Sequence, residues 1–156
     1  MKKILWIFIL LSMFSSASVA QNILLGERVP EIKSEAWLQG QEPAAKPLTY
    51  IEFYHSKHKG SAASLAHLEQ LARTFDTKLK IIVITNEKQA NFEAQLTPYL
   101  TRNANFGVLT DGSKIFTAYG VNYLPFGVLV DAKNRALWMG NGAKLQAAQI
   151  ENIPLQ

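Results

Sequence analysis

The stretch that decides the fold is Leu48–Leu71, LTYIEFYHSKHKGSAASLAHLEQL. Its first seven residues, Leu48–Tyr54, are rich in β-branched and aromatic side chains and predict a buried strand. Apolar side chains then recur at helical spacing over Ser61–Phe75, which predicts an amphipathic helix. The polar loop between them is a common place for a functional site, because the first amide groups of a helix lack partners inside the helix.

The amino terminus has the pattern of a secretory signal. Two lysines precede an apolar run from Ile4 to Phe14, and small residues lead to a cleavage site after Ala20. The apolar run is too short to span a bilayer. We therefore expect residues 1–20 to be a signal peptide and residues 21–156 to form a single domain. The protein is expected to be periplasmic or secreted, without stable membrane insertion after cleavage.

Composition excludes several functions. The 156 residues include no cysteine, so the thiolate nucleophile of thiol–disulfide oxidoreductases and peroxiredoxins is absent. An exported domain of this composition must also be held together by its core, without disulfides. The net charge is +4 and falls to +2 when the two leader lysines are removed. Such a small positive charge does not indicate nucleic-acid binding.

The central loop and its flanks resemble the active-site segment of thioredoxin-fold proteins, particularly the exported TlpA-type thiol–disulfide oxidoreductases. In that family the segment has the form F-W-A-x-W-C-x-x-C, and the matching residues here read FYHSKHKGS, from Phe53 to Ser61. The resemblance places the two cysteine positions at His58 and Ser61, with Lys59 and Gly60 between them. It implies a thioredoxin-type scaffold whose redox pair is replaced by His-Lys-Gly-Ser.

The carboxyl-terminal half resembles the same family in three further stretches that follow the expected order. They are Val108–Gly112, Ala118–Val121 and Leu124–Asp131. The resemblance spans roughly residues 24–150. It implies an α/β, thioredoxin-like fold, with a central mixed β-sheet flanked by helices and a short N-terminal extension.

The resemblance also implies a peptide-binding groove. Pro125 maps onto the family's cis-proline, so the bond before it is expected to be cis. In active relatives the backbone of the residue before this proline, here Leu124, pairs with an extended substrate peptide. Tyr54, Tyr123 and Phe126 are expected near the loop, where they would form an apolar rim with Leu124. Because aromatic side chains are commonly buried, we expect at least one of the three in the core.

Proton handling is expected to be lost together with the thiols. The family carries an acidic residue three positions after its second cysteine, and Ser64 stands at that position here. Glu52 stands where cytoplasmic thioredoxins carry a buried acid. The alternation of side chains along a strand leaves open whether Glu52 reaches the loop.

Two chemical alternatives remain open for the loop. His55 and His58 could form part of a metal site, which would need a further ligand such as a carboxylate. Ser61 could act as a nucleophile with His58 as its base, although no orienting acid or oxyanion hole is evident from the sequence. The simpler interpretation makes them a solvated loop and a serine at a helix start, with no metal and no cofactor.

These observations predict a redox-inactive, non-catalytic protein of the cell envelope that binds an exported polypeptide. Lys57 and Lys59 lie at the start of the predicted helix, where an anion is favoured. They would favour an acidic or phosphate-bearing partner, and the alternative is that they are solvated surface charges. The alternative is a relative of the thiol–disulfide oxidoreductases with a rebuilt histidine- or metal-dependent site. A structural subunit that uses another face is the third interpretation.

Overall fold

Strand β1, Leu48–Tyr54, is the central strand of the sheet and has the predicted bounds. The computed structural model describes residues 23–154, so the expected signal peptide lies outside the described part. Six of the seven β1 residues are buried, as expected for a strand that is covered on both faces. β1 pairs in parallel with one neighbour and antiparallel with the other, which makes the sheet mixed.

The other elements are helices and strands that follow β1 along the chain. They are helix α1 (Ser61–Thr74), β2 (Leu79–Thr85), α2 (Gln89–Arg102), β3 (Phe106–Leu109), α3 (Ser113–Ala118), β4 (Phe126–Asp131), β5 (Ala136–Gly140), a 3-10 turn (Gly142–Lys144) and α4 (Ala147–Glu151). The five strands lie in the order β3-β2-β1-β4-β5. The predicted mixed sheet flanked by helices is therefore confirmed.

Two hydrophobic clusters cover the two faces of the sheet. The parallel steps from β1 to β2 and from β2 to β3 move in the same direction across the sheet. Because parallel crossovers share one hand, α1 and α2 lie on the same face. Their apolar residues pack with the even-numbered side chains of β1, such as Tyr50 and Tyr54. The opposite face, with Ile51 and Phe53, is covered by α3 and part of the N-terminal extension.

The N-terminal extension also closes the edge of the sheet at β3. The amide of Leu38 donates to the carbonyl of Val108 at 2.8 Å. The side-chain amide oxygen of Gln39 accepts from the Val108 amide at 3.1 Å. A strand edge with unpaired amides invites pairing with other chains, so this contact protects β3. No helix within residues 23–154 is long and apolar enough to cross a membrane.

Two local predictions differ from the structure. The sequence predicts a helix that ends at Leu96 and restarts at Thr97, but α2 continues through Pro98 as one helix. Pro98 removes one amide donor, which leaves the carbonyl four residues earlier, that of Ala94, without its intrahelical partner. Because Ala94 is exposed, water can take the place of the missing donor. A single terminal helix is predicted over residues 143–150, whereas the structure has a 3-10 turn followed by α4.

Candidate functional site

The loop at the carboxyl end of β1 consists of two consecutive turns that lead into α1. The amide of His58 donates to the carbonyl of His55 at 3.0 Å, and the amide of Ser61 donates to the carbonyl of His58 at 3.1 Å. Helix α1 begins at Ser61, with Gly60 as the residue before it. The two positions matched to cysteines therefore lie on the two sides of the helix start.

Glu87 anchors this loop from the neighbouring strand. It lies two residues beyond β2, and its side chain is 4% exposed. One carboxylate oxygen accepts from the Ser56 amide at 2.7 Å and the other accepts from the Ser56 hydroxyl at 2.6 Å. Glu87 was not among the residues predicted for the site. The strand order could have predicted this contact. The carboxyl ends of the parallel neighbours β1 and β2 lie at the same edge of the sheet, so a carboxylate after β2 can reach the loop after β1.

The two histidines of the loop have different surroundings. The Nδ1 atom of His55 lies 3.5 Å from a carboxylate oxygen of Glu87 and 3.3 Å from the Lys57 amide. His58 is exposed, and its Nδ1 accepts from the Gly60 amide at 3.3 Å. Within residues 23–154, no three histidine, aspartate or glutamate side chains are grouped so that they could hold a metal ion.

The loop before β4 packs directly against the start of α1. The Leu124–Pro125 peptide bond is cis. A β-carbon built on Gly60 would lie 2.8 Å from Cγ and 2.9 Å from Cδ of Pro125, so only glycine permits this approach. The structure therefore brings the helix start together with the proline turn that the resemblance associates with peptide binding.

The four side chains predicted for the rim of the groove separate into two groups. Tyr54 and Phe126 are 2% and 7% exposed and lie in the core. The hydroxyl of Tyr54 bonds to the side-chain oxygen of Gln95, and burial, followed by the charge of Glu87, raises the pKa of Tyr54 to about 12. Tyr54 is therefore not available to a peptide. Tyr123 is 59% exposed, and Leu124 is half-buried beside it.

Polar side chains line the buried floor beneath the loop. Ser61 and Ser64 lie on the inner side of α1, and their hydroxyl oxygens have no hydrogen-bond partner among the described residues. Both oxygens of Glu52, on the facing side of β1, are likewise without a partner there. A β-carbon on Gly142 would collide with the Ser64 hydroxyl, so the chain closes tightly over this floor. Ser61 is 1% exposed, which keeps its hydroxyl away from any substrate.

Burial decides the protonation of Glu52. It raises the pKa of Glu52 from the ordinary 4.5 to about 8. The nearby hydroxyls of Ser64 and Tyr50 oppose this rise only in part, and neither has the geometry of a full hydrogen bond to the carboxyl group. At neutral pH the buried acid is therefore mostly protonated.

The acid expected to be lost is the one at position 64, where Ser64 stands, but a different acid lies close to that position. Glu52 reaches the inner side of α1 at Ser64, the position that is acidic in the family. The reason is the register of β1, in which Tyr50, Glu52 and Tyr54 alternate onto the α1 face. An acid is present at the floor of the site, although no thiol lies above it.

The loop, the proline turn and the sheet order together define a thioredoxin-like architecture without cysteine. No protein-family model matches the chain, and no curated protein sequence matches it. Solved structures do match. The similarity of this chain to known proteins is therefore found in its structure and not in its sequence.

Three of the similar structures illustrate the match. The thioredoxin domain of a thiol–disulfide oxidoreductase from Bacteroides vulgatus superposes with a TM-score of 0.64 at 14% identity, covering 84% of this chain and 95% of that one. The C-terminal domain of a thiol–disulfide oxidoreductase from Bacteroides thetaiotaomicron gives 0.66 at 15%, with 83% and 95% covered. A secreted disulfide oxidoreductase from Mycobacterium tuberculosis gives 0.54 at 17%, with 69% and 82% covered.

These matches confirm the predicted thioredoxin-like fold. At such low identity the matches support a conclusion about the fold alone. Because this chain has no cysteine, the thiol chemistry named for those proteins does not extend to it. One of these structures belongs to a secreted protein.

Proposed function

We propose that this protein is an exported, redox-inactive thioredoxin-fold protein that binds a polypeptide in the groove between the His55–Ser61 loop and the Leu124–Pro125 turn. One observation carries the proposal. Leu124 forms no backbone hydrogen bond with any described residue, although it lies only two residues before β4. Its amide and carbonyl groups are free to pair with an extended segment.

The surroundings of Leu124 suit an apolar contact next to that backbone pairing. The exposed ring of Tyr123 rests edge-on against Phe126, with ring centroids 5.2 Å apart. A rigid aromatic side chain gives contact area at a small cost in conformational entropy. The groove therefore offers main-chain pairing for affinity and one exposed aromatic ring for selectivity.

The charges at the groove favour an acidic partner. Lys57 and Lys59 are exposed, and neither forms an ion pair with another described residue. No acidic residue lies in the first turn of α1 to offset them. Without a covalent step the affinity depends on a modest contact area, so we expect a Kd on the order of micromolar. Binding should weaken as salt screens the lysines.

The test is partner capture from the protein's own cell-envelope fraction with three forms of the protein. Wild type is compared with Leu124→Asp and with the control Leu25→Asp, which alters an exposed leucine away from the groove. Circular dichroism first checks that each variant is folded. We expect Leu124→Asp to lose a partner that wild type and Leu25→Asp retain. If folded Leu124→Asp captures the same partner equally well, the groove is not the binding surface, and the structural-subunit interpretation replaces the proposal.

A histidine-dependent site is the second candidate. It is favoured by the pair His55 and Glu87, since imidazole and carboxylate are two common metal-binding groups. The pair lies at the surface end of the loop, where His55 is partly exposed. A third ligand would have to come from outside the described residues or from solvent.

A further inference from the structure

A cavity of about 440 Å³ lies on the face of the sheet opposite α1, away from the loop. Its floor is apolar and comes from three adjacent strands, with Ile51 from β1, Ile82 from β2 and Val130 from β4. The connector before β1 and the turn after β4 form its walls. Its volume lies in the range of small-molecule sites, which combine apolar lining with a few polar groups.

The polar group that distinguishes this cavity is a buried lysine. The side chain of Lys80 is 9% exposed, although it lies within an otherwise apolar strand. Its Nζ atom lies 2.5 Å from Oε1 of Glu42. Glu42 itself is on the connector and its side chain is 53% exposed. The buried cation is therefore neutralised by a carboxylate that comes from the solvent side of the cavity.

The other charged groups of the lining have partners of their own. Lys46 donates from Nζ to the carbonyl of Asp76 at 2.8 Å. The carboxylates of Glu31 and Asp131 form ion pairs with lysine and arginine side chains that are not part of the lining. Lys80 is thus the cavity's buried charge, and an anion is the complementary ligand.

We propose that the cavity binds a small amphiphilic monocarboxylate, whose carboxylate pairs with Lys80 in place of Glu42 and whose hydrocarbon chain lies on Ile51, Ile82 and Val130. The observed Lys80–Glu42 pair shows that a single carboxylate fits at this position. A ligand with an apolar chain would additionally remove the apolar floor from water, which the Glu42 side chain does not do. This site is independent of the proposed peptide groove.

The test uses octanoate as the probe, with 1-octanol and octylamine as matched neutral and cationic probes. Binding to the purified protein is followed by amide NMR chemical-shift changes. We expect octanoate to shift amides of β1, β2 and β4 around the cavity and to bind at least about tenfold more tightly than either matched probe.

Three variants locate the contact. Lys80→Met should weaken octanoate binding at least about tenfold, because the ligand loses a charged hydrogen bond. Glu42→Gln should strengthen it roughly threefold, because the competing carboxylate is removed. Lys46→Met is the matched control, a lysine of the same lining that points to Asp76, and should leave the affinity within about twofold.

Several results would overturn the proposal. These are no octanoate-dependent shifts, shifts only elsewhere on the molecule, or octanol binding as tightly as octanoate. If Lys80→Met does not fold, Glu42→Gln decides, since it leaves Lys80 in place. Unchanged or weaker binding by Glu42→Gln contradicts the competition on which the proposal rests.

Discussion

Glu52 and Lys80 are two buried ionisable residues on neighbouring strands, and they face opposite sides of the same sheet. Glu52 is 0% exposed on the α1 face, and its oxygens have no partner among the described residues. Lys80 is 7% exposed on the other face, where it forms an ion pair with Glu42. The difference arises because α1 closes over one face, whereas the other keeps a cavity through which a carboxylate can reach the strand.

Glu52 and Lys80 illustrate two ways in which an ionisable side chain is accommodated inside a β-sheet. A group without a counter-charge gives up its own charge, which appears as the raised pKa of Glu52. A group with a counter-charge remains in an ion pair, at the cost of desolvating both partners. The two residues should therefore respond differently to pH and to substitution.

The largest effect is expected for Glu52→Gln at alkaline pH. With its pKa raised from 4.5 to about 8, folded Glu52 keeps a proton that the unfolded chain releases above pH 4.5. Wild-type stability should therefore fall as the pH rises from about 4.5 to about 8, and the variant should lack this loss. At pH 8 we expect Glu52→Gln to be more stable than wild type, by on the order of 4 kcal/mol. Urea denaturation across this pH range measures the difference.

The control is Glu93→Gln, which alters an exposed glutamate on α2. It should keep the wild-type dependence on pH. Equal pH dependence in wild type and in Glu52→Gln would mean that Glu52 is ionised in the folded protein near neutral pH, and the contrast with Lys80 would disappear.

Glu87 is a second buried carboxylate. Its substitution should change the stability of the protein in the opposite direction to the substitution of Glu52. Unlike Glu52 it accepts hydrogen bonds, two from Ser56 and a longer one from the Thr85 hydroxyl at 3.5 Å. Glu87→Ala should therefore destabilise the protein by about 2 kcal/mol at neutral pH, because the half-buried Ser56 amide and hydroxyl lose their acceptor. Urea denaturation measures this change, and Ser56→Ala should cost less because it removes only the hydroxyl contact. Stabilisation by Glu87→Ala would show that hydrogen bonding does not separate the two carboxylates.

A smaller effect is expected for the ion pair of Lys80. Lys80→Met should change the free energy of unfolding by less than about 1 kcal/mol, because it removes the buried cation and leaves only Glu42, whose half-exposed carboxylate water can solvate. Glu42→Ala should destabilise by about 1 kcal/mol, because it leaves the buried Lys80 cation without its counter-charge, at a site that water can reach through the cavity. Thermal or urea unfolding of the two variants distinguishes these outcomes. A larger loss in Lys80→Met than in Glu42→Ala would contradict the comparison.

The smallest expected effect is that of a divalent metal ion on the melting temperature. A ligand that binds only the folded state raises its stability by mass action. Because the loop histidines have Glu87 as their one nearby carboxylate among the described residues, we expect little or no shift with zinc. A large shift that His58→Ala removes would instead favour the histidine-dependent site.

The sequence predicted most of the fold because its main elements have strong local patterns. Strand β1 has the predicted bounds, and α1 ends one residue earlier than predicted. The floor of the site was predicted less well. Glu52 was recognised at the right position, but its approach to Ser64 depends on how the strand lies against the helix. Glu87 was missed because it follows a different strand, and its contact with Ser56 spans 31 positions.

The sequence by itself determined the absence of thiol chemistry, the strand–loop–helix order and the match to a thioredoxin-like scaffold. The absence of thiol chemistry follows from residue identity, and the strand–loop–helix order follows from short-range periodicity. The match to the scaffold rests on a resemblance to the motifs of a known family. Tertiary structure alone decided which ionisable groups are buried and which have partners. It placed Glu52 under α1 without a counter-charge and opened a cavity beside Lys80 on the other face. The physical reason is that burial and pairing depend on contacts between residues that are far apart in the sequence. A local sequence pattern contains no information about such contacts.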